Sequence, residues 1–399
     1  MHRFFRSHEF QFAFLFTLSG AYHRCADAGE ALATAERIKD SNQESWFTEW
    51  GHTADAALEA AEEAGRGGHR VSARDAYLRA SAYLATALYA VAGSKDPSRE
   101  RPAWDRHRDA FDRAMALWDP PAEHLEIPYE DTTLPGYLLR ADGTGERRPL
   151  LIMNNGSDGA MTAMIGQGGG GGLRRGYNVL LFDGPGQQAA LMRQGLFFRP
   201  DWEAVLTPVV DHAVGRSDVD PDRIGVIGVS QAGYWVPRAI AFEKRIRAAV
   251  ADPGVTDVGA TWTSKIGHSM SKLLERGDEE KFDRDMRMAE RFVPGLRASL
   301  EFRMKPYGLE SVFDVYRALE EYRLTPDVLA RIDTPLLITD PDHEQFWPGQ
   351  SRQLHQALTG PKELVRFTAA EGADSHCEPA APGVREQRIF DWLDTALGV

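Results

Sequence analysis

Apolar and polar positions follow three regimes along this chain. From about Ala26 to Trp118 the apolar residues recur at helical spacing, as in Tyr77, Leu84 and Leu88, with Arg74, Asp75 and Arg79 turned to water. Gly65-Arg66-Gly67-Gly68 and Gly93-Ser94-Lys95-Asp96-Pro97 break that periodicity, and Asp119-Pro120-Pro121 stops it. Strand patterns follow. His124 to Tyr129 and Leu134 to Leu139 read as a hairpin turned at Glu130-Asp131-Thr132. Pro149 to Met153, Tyr177 to Phe182, Ile224 to Val229, Ile246 to Asp252, Thr334 to Thr339 and Leu364 to Phe367 are short runs, apolar on both faces. Strands covered by helices on both sides have that character. Helical patterns lie between them at Asp201 to Val214, at Tyr234 to Ala241 and, last, at Val384 to Leu397.

The third regime interrupts the second. Trp262 to Tyr322 is charged and helical, with Met270, Leu273, Leu274, Phe282, Met286 and Phe292 as apolar points. An insertion there, between late strands, commonly forms a lid. The alternation of strand and helix predicts an α/β fold: a doubly wound, mostly parallel sheet. The expected organisation is a helical cap domain over 1–120 and a sheet domain over 121–399, with a helical insertion at about 258–325.

Composition changes this picture in few places. With 399 residues and 43% hydrophobic content, the chain is long enough for a large core carried by two domains or by one with a cap. A net charge of −13 argues against nucleic acid or an anionic membrane surface as partner. Cys25 and Cys377 are the only cysteines, too few for a disulfide framework and without zinc-ligand spacing, which points to a cytoplasmic protein. The apolar run Phe12 to Leu18, behind Arg3 and Arg6, faintly suggests a secretory signal. It is short, Glu9 and Gln11 stand in its approach, and no small-x-small cleavage pattern follows. It is also too short to span a bilayer, and so is expected to dock as an arm on the body or on a second subunit. The aromatics Trp46, Phe47, Trp50, Tyr83, Tyr89, Trp104 and Phe111 have two readings, helix-packing core or the lining of a cleft.

The candidate chemistry centres on Gly228-Val229-Ser230-Gln231-Ala232-Gly233, a serine between an apolar strand and a helix, flanked by small residues. A nucleophile elbow needs that form, because the serine sits in a strained turn with no room for side chains two positions away. The fold uses its triad in the order serine, acid, histidine. His376 stands in the small-residue loop after the last strand, ahead of the C-terminal helix, and is the only one of 12 histidines so placed. The acid belongs after the strand that starts at Pro335. A gap-free turn between Pro335 and Pro348 puts Glu344 there, a shorter turn puts Asp342 there, and Asp340 is too close to the strand. For the oxyanion the backbone N–H of Gln231 is one donor, and Ser157 or Gly156, in the polar loop Asn154-Asn155-Gly156-Ser157-Asp158-Gly159, is the other. The glycine run Gly168 to Gly172 lies too far beyond its strand for a dinucleotide loop and reads as a tightly packed or irregular helix end. No P-loop pattern is present, His343-Glu344 does not form HExxH, and neither cofactor nor metal is expected.

The stretches 154–159, Phe182-Asp183-Gly184-Pro185-Gly186-Gln187, 228–234 and Gly372-Ala373-Asp374-Ser375-His376-Cys377 together resemble the FrsA-like branch of the α/β-hydrolases. That branch includes 2,6-dihydroxypseudooxynicotine hydrolase and the fungal Ayg1-type polyketide-shortening hydrolases. The resemblance covers most of the chain. It implies a serine triad, a cleft between helical cap and sheet, a homodimer, and cleavage of an ester or of a C–C bond beside a carbonyl. The turn Asp340-Pro341-Asp342-His343-Glu344 departs from the branch's common Gly-x-x-Asp form, and an additional acid used by the pseudooxynicotine enzyme has no secure match. The expected partner is a bulky, partly apolar small molecule, polyketide- or aryl-ketone-like. Two other classes remain open: a cyclase or lyase using the same Ser-His pair for proton transfer, and an inactive binding protein.

Overall fold

A computed structural model describes residues 3–293 and 295–399. Five helices come first: α1 (His8–Ser19), α2 (Ala28–Arg37), α3 (Gln43–Arg66), α4 (Arg70–Leu88) and α5 (Glu100–Ala116). Side-chain caps start three of them, Ser7 for α1, Asp27 for α2 and Asn42 for α3, each accepting from backbone N–H groups that the first turn leaves free. The apolar arm is α1, which docks on the body and buries Phe10 against Trp46 and Phe14 against Phe5. Trp46, Trp50 and Tyr83 are helix-packing core, as the first of their two readings had it.

Eight strands form one sheet: β1 (Glu123–Tyr129), β2 (Thr132–Leu139), β3 (Arg148–Asn154), β4 (Asn178–Phe182), β5 (Val219–Val229), β6 (Ala248–Asp252), β7 (Leu336–Pro341) and β8 (Lys362–Phe367). Their order is β1-β2-β4-β3-β5-β6-β7-β8. β1 and β2 are the hairpin, and β2 meets β4 antiparallel; every pairing from β4 to β8 is parallel. This is the doubly wound, mostly parallel sheet that the strand and helix pattern predicts. The strand into the elbow is longer than its apolar run, starting at Val219, and its register against β3 slips between Arg148 and Leu150.

Apolar faces on both sides of the sheet fix where the helices go. Trp202, Val205 and Val209 of the 202–214 segment and Trp235 of the elbow helix pack on one face against Ile152, Leu180 and Val226. Phe390 and Leu393 of the C-terminal helix pack on the other against Leu151, Val179 and Ile227, together with Tyr77 of α4 and Phe111 of α5. The glycine run is a kinked helix lying against that second face. Gly168 has φ 135°, and a side chain at Gly172 would meet Leu151 at 2.8 Å. The chain leaves β3 toward β4 and leaves β5 toward β6, in opposite directions along the sheet. The crevice between the C-terminal ends of β3 and β5 is therefore the switch point where doubly wound sheets receive ligands.

Candidate active site

Ser230 stands at that crevice with φ 60°, in the left-handed region, at the tip of the turn from β5 into the helix Ala232–Ile240. Sterics explain the small residues around it. A Cβ at Gly228 would lie 2.5 Å from the Ala232 carbonyl, and one at Gly233 would run into the Pro253 carbonyl. Ala232 faces neither obstacle, so the second small position tolerates its methyl group. The Ser230 N–H donates to the Asp252 carbonyl at 2.6 Å, which ties the turn to the end of β6.

His376 reaches Ser230 from the loop after β8, its Nε2 at 2.8 Å from the serine Oγ. Its Nδ1 is 2.9 Å from Glu344 Oε2, in the turn after β7. The other Glu344 oxygen accepts the N–H groups of Phe346 and Trp347 at 2.8 and 3.1 Å. Burial raises this carboxyl's pKa, but the imidazole and the two N–H groups outweigh it and hold the group below its ordinary range. Asp342 lies apart. Its exposed carboxylate accepts from Arg366 Nε at 2.6 Å, and that pairing holds its pKa low. Between the two acids, His343 Nδ1 meets Asp374 Oδ2 at 2.6 Å and its N–H donates to the Asp374 carbonyl, joining the acid turn to the histidine loop.

The β3 loop is held by side chains from two of the stretches that carried the family resemblance. Gln187 Nε2 donates to the carbonyls of Asn155 and Gly156 at 2.6 and 2.9 Å, while its Oε1 accepts from the Gly184 N–H. Asn155 Nδ2 donates to the Gly159 carbonyl, and Asn155 Oδ1 accepts the Gly156 N–H at 2.8 Å. The Gly156 donor is thereby occupied. The N–H groups of Ser157 and Gln231 donate to no protein atom among the described residues. Gly156 still matters sterically, since a side chain there would meet Ser230 Cβ at 2.7 Å.

No protein-family model matches the chain. Among curated proteins it is similar to the 20-hydroxy-prefusarin hydrolase FUS2 of Gibberella moniliformis, 30% identical over 426 residues that cover 100% of this chain and 99% of that protein. It is likewise 31% identical over 431 residues to the alpha/beta hydrolase psoB of Aspergillus fumigatus, covering 100% of this chain and 95% of the relative. The chain belongs to the α/β-hydrolase superfamily. Its fold is also that of the crystal structure of the 2,6-dihydroxy-pseudo-oxynicotine hydrolase, with a TM-score of 0.74 and 21% identity over 95% of each chain. The protein is a hydrolase by family.

In this α/β-hydrolase a cavity of about 180 Å³ opens beside Ser230 and His376. Its roof comes mostly from the N-terminal helices: Phe12, Phe16 and Thr17 from α1, and Ala82, Thr86 and Tyr89 from α4 and its end. Phe12, Phe346 and Trp347 surround the imidazole, with ring centroids 6.0, 4.7 and 5.7 Å from it. The arm residues Phe12 and Phe16 were missed as site residues in the sequence. An apolar helix gives no local sign of which cleft it will cover. Among its described residues the insertion contributes Arg303 alone to this cavity. Its aromatics Trp262, Phe282 and Tyr316 pack on one another and into the core of the sheet's first face. A second cavity of about 120 Å³ shares the wall formed by Tyr89, Ser157 and Asp158, and is bordered by Trp104 and the Lys305–Glu100 ion pair. Tyr89 and Trp104 thus take the second of the aromatics' two readings. Cys25 lines the main cavity, but burial and then Asp75 push its thiol up to about 12, so it is no thiolate at neutral pH.

Beneath Ser230 and His376 lies a buried charge network. Asp252 Oδ2 accepts from Arg385 Nε at 2.6 Å and its Oδ1 accepts from Thr339 Oγ1 at 2.7 Å. Arg385 Nη1 donates to the Gln167 carbonyl at 2.8 Å, and Glu378 Oε2 is 3.5 Å from Arg385 Nε. No cluster of three or more potential metal ligands occurs among the described residues, and none of their helices is long and apolar enough to cross a membrane.

Proposed function

We propose that the protein is a serine hydrolase whose substrate is a bulky, partly apolar carbonyl compound, polyketide- or aryl-ketone-like. The observation that carries the reading is the hydrogen-bonded chain Ser230–His376–Glu344 at the wall of an aromatic-roofed cavity. His376 Nε2 takes the Ser230 proton as Oγ bonds to the carbonyl carbon. Glu344 holds the ring by its Nδ1–H and balances the imidazolium charge. The free N–H groups of Gln231 and Ser157 receive the oxyanion. When the tetrahedral adduct collapses, His376 returns the proton to the leaving group, an alkoxide from an ester or an enolate from a β-dicarbonyl. Water, deprotonated by the same imidazole, then releases the acyl group from Ser230. The likeness to a 20-hydroxy-prefusarin hydrolase supports a polyketide-related substrate. Assembly as a homodimer and a cytoplasmic setting belong to the same proposal, and light scattering tests the first.

A fluorophosphonate probe should label the protein at Ser230, and mass spectrometry should detect an acyl-serine with a slow ester. Labelling that survives Ser230→Ala, or turnover without any acyl-enzyme, would overturn the covalent mechanism and favour a cyclase or lyase that uses the pair for proton transfer.

A further inference from the structure

Acidic and basic chains other than histidine are scarce in the lining of the main cavity: among the described residues they are Asp158, in the β3 loop, and Arg303, from the insertion. Arg303 is half-buried. Its guanidinium carbon lies 5.9 Å from the centroid of the Phe346 ring, which is itself 4.7 Å from the His376 ring. One aromatic ring therefore separates this cation from the general base proposed above. Its neighbours in the chain are paired: Arg297 with Glu301, Lys305 with Glu100, Arg317 with Glu320. Among the described residues Arg303 has no ion-pair partner. Glu9 is engaged by the Tyr89 hydroxyl at 3.2 Å, and Asp158 lines both cavities from the β3 loop, neither within ion-pair distance of the guanidinium. Lys265, also without an ion-pair partner among the described residues, has its pKa lowered by burial and then by Arg303.

An unpaired guanidinium at the edge of an apolar cavity is matched to a delocalised oxyanion. Its planar fork can bond both oxygens of a carboxylate or of an ionised 1,3-dicarbonyl enol, and the weakly polar surroundings strengthen that pairing. We propose that Arg303 is a specificity-determining residue, and that the substrate carries an anionic oxygen group besides the carbonyl that Ser230 attacks. The proposal rests on the serine-hydrolase reading only for the attacked carbonyl. A helix's last turn is also an ordinary place for an arginine, so the test must separate anchoring from structure.

The 4-nitrophenyl monoester of glutaric acid, with its free carboxylate, is compared with 4-nitrophenyl pentanoate, a neutral ester of similar length. The parent protein should favour the anionic ester in kcat/KM, and Arg303→Met should lower the anionic-to-neutral ratio by roughly 10- to 100-fold, with Arg303→Lys falling between them. A parent without that preference, or an Arg303→Met that lowers both esters alike, overturns the proposal. Binding gives a readout independent of turnover: by calorimetry, 5-phenylpentanoate should bind more tightly than 5-phenylpentanamide, and Arg303→Met should remove the difference. If neither ester is cleaved, the ester option of the serine-hydrolase reading fails while the carboxylate-to-amide comparison still decides the role of Arg303. Equal binding of acid and amide sinks it.

Discussion

The floor and the roof of the cavity are built on opposite principles. The floor consists of loops at the C-terminal ends of β3, β5, β7 and β8, and its polar atoms hold one another: His376 between Ser230 and Glu344, Gln187 under the β3 loop, Asp374 against His343. Arg385 and Asp252 anchor it from below, both essentially excluded from solvent. The roof is a set of helix faces offering Phe12, Phe16 and Tyr89, with Arg303 at its edge. Floor groups have directional partners, so a displacement breaks bonds. The rings of Phe12 and Phe16 have only shape and volume to satisfy. The difference implies that chemistry resides in the floor and substrate choice in the roof.

The largest test of that division is removal of the pair proposed to react. Ser230→Ala and His376→Ala should each lower kcat by about 10⁴–10⁶-fold, and the double variant should be little worse, since the two act as a unit. Steady-state kinetics with a chromogenic ester checks this. Next comes the acid. Glu344→Gln should lower kcat by roughly 10³–10⁴-fold with KM nearly unchanged, while Asp342→Asn, which loses only a surface pairing with Arg366, should stay within about threefold. The reverse ranking would move the acid to Asp342.

The support beneath the floor should show in stability. Arg385→Met leaves Asp252 buried without its cation and should cost about 3–5 kcal/mol in denaturant unfolding. Glu378 behaves oppositely. Burial first, then the Asp252 carboxylate, hold its carboxyl well above the ordinary range. The unfolded chain releases that proton at an ordinary carboxyl pH while the folded chain keeps it, so its contribution to stability declines as pH rises above that range. Glu378→Gln should therefore be at least as stable as the parent at pH 8, and lose that advantage below about pH 4. The smallest effect belongs to the roof. Phe12→Ala should raise KM for an apolar ester by roughly 10-fold and leave kcat within about threefold. A loss confined to kcat would mean that the ring acts on His376, which it faces at 6.0 Å, instead of on the substrate.

By itself the sequence determined what depends on local sterics and on chain order. Apolar runs bounded by turns gave the strands and their sequence, and the requirement for small residues around a left-handed serine singled out the turn at Ser230. The order serine, acid, histidine then restricted the partners to two short loops. Tertiary structure decided what depends on side chains distant in sequence arriving at one place. Glu344 and Asp342 stand two residues apart in one turn, and only the folded loop aims the first at His376 and the second at Arg366. Gln187 belongs to a stretch that carried the resemblance and Arg385 to none, yet the partner of neither is visible until the sheet brings Asn155 and Asp252 beside them. Phe12 lies far from His376 along the chain. Helical periodicity shows that such a residue must be buried but leaves open what will cover it, because burial of apolar surface has no direction.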